Sequence, residues 1–145
     1  NTREGTVKSI LVKDYMSSNV TSFKPEDNVI EALRQLLKQG HSGAPVLDNE
    51  RRLVGMLSEI DCLKEALMDG YYQSASDRVA DHMTKEVDCV KANDNILVLA
   101  DMFVGGRRRV PVVDEGALVG IITRQDFARA LIYTIDHPHH GDHAH

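Results

Sequence analysis

The chain has 145 residues, 42% hydrophobic and 27% charged, with 22 acidic side chains against 17 Lys and Arg. This composition excludes a chain kept disordered by low hydrophobicity, and no run approaches the roughly 18 consecutive apolar residues that a membrane span needs. A formal net charge of −5 argues against broad attraction to nucleic acid or acidic lipid, while leaving room for a local basic patch. The opening residues lack the apolar stretch of a secretory signal, so the expected location is cytoplasmic. Cys62 and Cys89 lie in apolar-rich segments with no second Cys or His at ligand spacing, and both are expected as buried, reduced thiols.

Laid against itself at an offset of about 66 residues, the chain repeats, as one supersecondary unit copied and adjusted in its loops would. Residues 12–17 (VKDYMS) fall on 79–84 (VADHMT), and 24–28 (KPEDN) on 91–95 (KANDN). Farther on, 45–48 (PVLD) fall on 111–114 (PVVD), and 53–61 (LVGMLSEID) on 118–126 (LVGIITRQD). Each copy opens with a short run suited to a strand, 20–23 or 87–90. A helix follows, for which Asp27 or Asp94 can serve as cap. Its apolar stripe is Val29, Leu33, Leu36 and Leu37 in the first copy, and Ile96, Leu99, Ala100 and Phe103 in the second. Gly40 and the pair Gly105 and Gly106 mark where these helices stop. Two strands joined by a short polar loop come next, 44–47 with 53–57 and 110–113 with 118–122, which reads as a hairpin. A second helix starts near Glu59 and near Gln125, carrying Leu63 and Leu67, or Phe127, Leu131 and Ile135.

The spacing therefore predicts an α/β (α+β) chain of two β-α-β-β-α repeats, 9–67 and 79–135. A linker at 68–78 joins them, and a His-rich, disordered tail follows at 136–145. A copy of about 60 residues buries too little surface alone, so the two are expected to pack sheet to sheet as one pseudo-symmetric body. The tail holds five histidines, but Pro138 and Gly141 prevent a fixed ligand spacing, so no specific metal site is expected there.

The order Met-Ser/Thr, extended run, helix, Pro-Val-apolar-Asp, then Leu-Val-Gly with Ser/Thr-x-x-Asp and a helix, present twice, closely resembles a tandem pair of cystathionine-β-synthase (CBS) domains, the Bateman module. The resemblance covers about residues 9–135. It implies a stand-alone regulatory module that signals to a partner protein. It also implies clefts between the repeats that take AMP, ADP, ATP or S-adenosylmethionine, self-association as a homodimer, and sensing rather than catalysis.

Several residues carry this expectation. Ser58 with Asp61, and Thr123 with Asp126, match a helix capping box, which can do no more than satisfy free backbone N–H groups. A carboxylate at a helix start can also accept both hydroxyl protons of a ribose, and the hydroxyl and exposed amides suit a phosphate oxygen. The resemblance assigns Asp61 and Asp126 to ribose, and Ser58 and Thr123 to the ribose–phosphate region. Gly55 and Gly120 either let a ligand approach the backbone or relieve packing. Arg107, Arg108 and Arg109 suit a solvated helix C-terminus. In the family, cations just before the Pro-Val strand reach phosphates, which singles out Arg108 and Arg109. The first copy has His41, Ser42 and Gly43 there, so the two sites are expected to differ, with the arginine-rich one taking the more phosphorylated ligand. Val20 and Val87, on the first strand of each copy, and Met16 and Met83 are adenine-pocket candidates by resemblance, with core packing as the competing role.

No phosphate-binding Gly-Lys-Ser/Thr loop, Gly-x-Ser-x-Gly elbow or His-Glu-x-x-His occurs, which lowers the expectation of an enzyme. The alternatives are a ligand-free interaction scaffold and a nucleic-acid-binding module using Arg107–Arg109. Against the second stand the acidic net charge and the lack of a helix-turn-helix pattern or a run of aromatics.

Overall fold

The computed structural model describes residues 10–68 and 77–137; most of the expected linker and tail lies outside the described residues. The fold is α+β, with short sheets and helices gathered into two compact units that interleave along the chain. Among the described residues one, here the Ser58 unit, takes 19–68, 77–88 and 115–118; the other, the Thr123 unit, takes 10–18, 89–114 and 119–137.

In the Ser58 unit, α1 spans Val29–Gln39. It begins at Asn28, whose Oδ1 accepts the N–H groups of Ile30 at 2.9 Å and Glu31 at 3.0 Å. Asp27, the expected cap, instead accepts the N–H of Lys24 at 2.8 Å and closes the preceding turn. The two jobs need adjacent residues, because the turn must close before the helix can open. Gly40 ends α1 at φ 71°, a left-handed conformation that a side chain resists. Strand β1, Gly43–Leu47, pairs antiparallel with β2, Leu53–Ser58, with Gly43 opposite Ser58. Helix α2, Glu59–Met68, follows β2 without an intervening residue. Phe23, Val29, Ala32, Leu36, Ala44, Val46, Leu57, Cys62 and Val79 form the core.

The Thr123 unit repeats the plan with a third strand. β3, Val90–Lys91, runs parallel to β4, Arg109–Asp114, which neighbours β5, Ala117–Thr123. A 3-10 turn, Ile96–Leu99, leads into α3, Ala100–Val104, and α4 covers Arg124–Asp136. Asn95 caps the turn through the Leu97 N–H, and Asp94 accepts from Lys91, the same division of labour as at Asn28 and Asp27. Val12, Val90, Ile96, Leu99, Phe103, Val110, Val112, Ile122, Phe127 and Ala130 form the core, with the Phe103 and Phe127 rings 5.5 Å apart.

Beyond the caps, the structure departs from the sequence-based expectation in three places. The run 20–23 forms only a single bridge, Phe23 to Val46, and 87–90 contributes only Val90 to a strand. Phe23 and Val90 are buried while most of their neighbours are not, so nothing holds a longer ladder. Val20 and Val87 therefore sit on irregular chain, half-buried. Second, Leu37, Leu63, Leu67, Leu131 and Ile135 face outward, the last 69% exposed, while Cys62, Phe127 and Ala130 supply the buried side of the second helices. Third, Cys89 is exposed; only Cys62 is a buried thiol.

Gly55 and Gly120 have a role that follows from the interleaving. A Cβ on Gly55 would stand 2.6 Å from the Met83 Sδ and 2.9 Å from the Thr84 carbonyl oxygen. On Gly120 it would stand 2.6 Å from the Met16 Sδ and 2.8 Å from the Ser17 carbonyl oxygen. Beside each glycine the incoming segment pairs with the strand, Thr84 exchanging both backbone bonds with Met56, and Ser17 with Ile121. The space above each glycine is thus filled by a methionine and a carbonyl of the same unit, not left for a ligand.

Gly55→Ala and Gly120→Ala should each destabilise the fold by about 1–3 kcal/mol through overpacking, read as a lower urea midpoint. Adding Met83→Ala to Gly55→Ala should recover only part of that loss, because the Thr84 carbonyl does not move with the side chain. Full recovery would show that the side chain alone sets the constraint. For Cys62, burial first, then the Asp61 and Glu59 charges, push the thiol from its ordinary value of 9.0 up to about 11. At pH 8 a thiol reagent should label Cys89 in the native protein and reach Cys62 only on unfolding. Above about pH 9 an unfolded chain releases a proton that the folded chain keeps, so stability should fall between the two values. Cys62→Ala should remove this component of the alkaline loss.

Candidate functional site

Each unit presents the same junction, where a strand ends and a helix begins. At the first, the Ser58 N–H donates to Asp61 Oδ2 at 3.0 Å and the Asp61 N–H donates to Ser58 Oγ at 3.1 Å. At the second, the Thr123 N–H donates to Asp126 Oδ2 at 2.9 Å and the Asp126 N–H donates to Thr123 Oγ1 at 3.1 Å. The reciprocal box satisfies amides that a helix start leaves open and fixes each carboxylate by one oxygen. Asp61 Oδ1 takes no hydrogen bond among the described residues. Asp126 Oδ1 accepts from the Arg129 guanidinium one turn along α4, an ion pair that sequence reasoning did not single out although the i, i+3 spacing signals it.

The strand preceding the hairpin turn flanks the junction. Arg109 opens β4, half-buried, with its Nε buried and without a hydrogen-bond partner among the described residues. Burial pulls the guanidinium below its ordinary value, and the Asp126 carboxylate opposes that pull. Arg108 and Arg124 are exposed, and the Arg124 N–H donates to the Arg108 carbonyl oxygen at 3.0 Å. At this junction Thr123 and Asp126 share the capping box, Arg129 pairs with Asp126, and Arg108 meets the start of α4 through its carbonyl oxygen. Around Ser58 and Asp61 the equivalent strand start is Ser42 and Gly43.

The hydrophobic candidates fall elsewhere. Met16 packs against the core of the Thr123 unit and Met83 against that of the Ser58 unit, each over its glycine. Val20 and Val87 both belong to the Ser58 unit, on irregular chain. No group of three or more His, Cys, Asp or Glu among the described residues is placed to hold a metal ion. Among those residues no helix is long and apolar enough to cross a membrane.

Chemically, a pinned carboxylate beside backbone amides and guanidinium groups is suited to a vicinal diol carrying an anionic tail. Comparison with known proteins gives this geometry a context. The chain is 33% identical over 121 residues to the uncharacterized protein MJ1225 of Methanocaldococcus jannaschii, covering 83% of this chain and 42% of that protein's length. Its backbone matches CBSX2 in a crystal structure of that protein in complex with AMP, at TM-score 0.75 and 30% identity, over 88% of this chain and 99% of that one. It also matches the CBS domain pair of MJ0100 in complex with 5′-methylthioadenosine and S-adenosyl-L-methionine, at TM-score 0.68 and 27% identity, over 86% of this chain and 97% of that one. The CBS domain family model matches residues 12–67 and again 79–133, and with both repeats so matched the chain belongs to the CBS domain family as a tandem pair.

Proposed function

We propose that this CBS pair is a regulatory module that binds adenosine-containing ligands at its two strand–helix junctions and signals to a partner protein. Asp61 and Asp126 accept the ribose hydroxyls, Ser58 and Thr123 lie at the ribose–phosphate region, and Arg108 and Arg109 neutralise phosphate. Met16, Met83, Val20 and Val87 are the proposed adenine-side candidates. The observation that carries the reading is that each capping box engages only Oδ2 of its aspartate, so helix capping and diol binding can coexist. The AMP complex of CBSX2 and the adenosyl complex of the MJ0100 pair support the ligand class.

A thermal-shift panel of AMP, ADP, ATP and S-adenosylmethionine tests it. A ligand at 100 times its Kd stabilises the native state by about 2.7 kcal/mol, a shift of several degrees for a chain of this size. The double variant Asp61→Ala/Asp126→Ala should lose that shift while still folding cooperatively. Failure of every adenosyl compound to raise the wild-type melting temperature would leave the module as an interaction scaffold.

Self-association belongs to the same proposal. Ile60, Leu63 and Leu67 on α2, and Leu131, Ile132 and Ile135 on α4, are 36–73% exposed, an apolar display unusual for a monomer's surface. Sedimentation velocity should show a dimer that Leu67→Lys and Ile135→Lys each weaken. A wild-type monomer at all concentrations would refute it.

A further inference from the structure

The two junctions share one backbone and differ in charge. The Arg124 N–H donates to the Arg108 carbonyl oxygen at 3.0 Å, and the Glu59 N–H donates to the Ser42 carbonyl oxygen at 2.9 Å. These matched bonds fix the correspondence: Arg108 stands where the other unit has Ser42, Arg109 where it has Gly43, Arg124 where it has Glu59, and Arg129 where it has Lys64. At the Thr123 junction these four positions are all arginine, one of them paired with Asp126; at the Ser58 junction they are Ser42, Gly43, Glu59 and Lys64.

The contrast is built into the backbone as well as the side chains. A Cβ on Gly43 would stand 3.1 Å from the Leu57 carbonyl oxygen, so an Arg109 counterpart has no easy place in the Ser58 unit. In the Thr123 unit the same position carries a half-buried cation whose Nε lacks a hydrogen-bond partner among the described residues, and a buried guanidinium N–H without an acceptor favours an anionic one. Glu59 and Arg124 occupy the first position of α2 and α4, between the capping hydroxyl and the diol-binding carboxylate in sequence. Opposite charges thus stand at matched positions, each next in sequence to its capping hydroxyl and two residues before its aspartate.

We infer that Arg124 and Glu59 sort ligands by tail charge. The Thr123 junction takes an adenosyl ligand with a phosphate or polyphosphate tail, and the Ser58 junction takes one whose tail is neutral or cationic. This deepens the adenosyl-binding proposal and rests on it.

Titration calorimetry on the full chain separates the two. The Asp61→Ala background reports the Thr123 junction and the Asp126→Ala background the Ser58 junction. The probes are ATP, 5′-methylthioadenosine and S-adenosylmethionine, which share the nucleoside and differ in tail charge. In the first background ATP should bind more tightly than 5′-methylthioadenosine, by about tenfold or more at low salt, with the margin shrinking as salt rises. Arg124→Glu should abolish that margin while leaving 5′-methylthioadenosine affinity within about threefold, and the milder Arg124→Gln should give an intermediate value. In the second background S-adenosylmethionine and 5′-methylthioadenosine should outbind ATP, and Glu59→Arg should reverse the order. An ATP to 5′-methylthioadenosine ratio unmoved by Arg124→Glu and by Glu59→Arg overturns the sorting. If all three probes bind the wild type and depend on the aspartates but show no charge preference, the adenosyl proposal stands and only the sorting fails. If none binds the wild type, the adenosyl proposal fails and the sorting falls with it.

Discussion

The bare backbone at Gly55 and Gly120 is the constraint on which the architecture depends. Because no Cβ is present, Met83 with Thr84, and Met16 with Ser17, lie directly across a strand, and each pair closes two backbone hydrogen bonds with it. Those segments open their own repeat in sequence yet complete the core built by the other. Val12 is fully buried in the Thr123 unit, and Val79 is fully buried in the Ser58 unit. Burying such a side chain contributes about 1.5–3 kcal/mol each, which a repeat deprived of the exchanged segment would lack. The compact units are therefore not the sequence repeats, and neither repeat has the full complement of its own core.

Holding β2 and β5 in place has a local consequence. Each strand runs directly into a helix, so the residue that ends the strand must also cap the helix, and Ser58 and Thr123 do both. An aspartate three residues on closes the box. The geometry of a carboxylate presented at a strand–helix junction thus follows from helix capping alone, before any ligand is considered. What the ligand exploits, on the proposed reading, is the oxygen that capping leaves over.

Much of this was legible in the sequence because duplication supplies an internal control. The two hairpins, the second helices and both capping boxes sit where the repeated Pro-Val-apolar-Asp and Ser/Thr-x-x-Asp strings put them, each string naming residues with a defined local task. Legibility failed where the outcome depends on partners distant in the chain. Residues 20–23 and 87–90 have strand-like composition, yet only Phe23 and Val90 find a neighbouring strand. The stripe Leu63 and Leu67 has helical spacing, but spacing reports that a face is apolar and not what covers it. Asp27 and Asn28 are both competent caps, and one residue of register decided between them. The role of Gly55 and Gly120 was open between ligand approach and packing, and only the position of Met83 and Met16 decides for packing.

Arg129 shows how the duplicated junctions can differ in function without differing in backbone. Its guanidinium takes the oxygen of Asp126 that the equivalent Asp61 keeps open among the described residues, so on the proposed reading a diol at the Thr123 junction displaces an ion pair that has no counterpart among the described residues of the Ser58 junction. The arginine side chain is 69% exposed, and exposed pairs of this kind contribute about 0–1 kcal/mol, so displacement costs little. Arg124 stands five residues before Arg129 in the chain, and its N–H donates to the Arg108 carbonyl oxygen. A ligand with an anionic tail recovers the lost pair by offering Arg129 another acceptor, whereas a ligand without one does not. On the proposed reading, this ion pair therefore favours anionic tails at the arginine-rich junction.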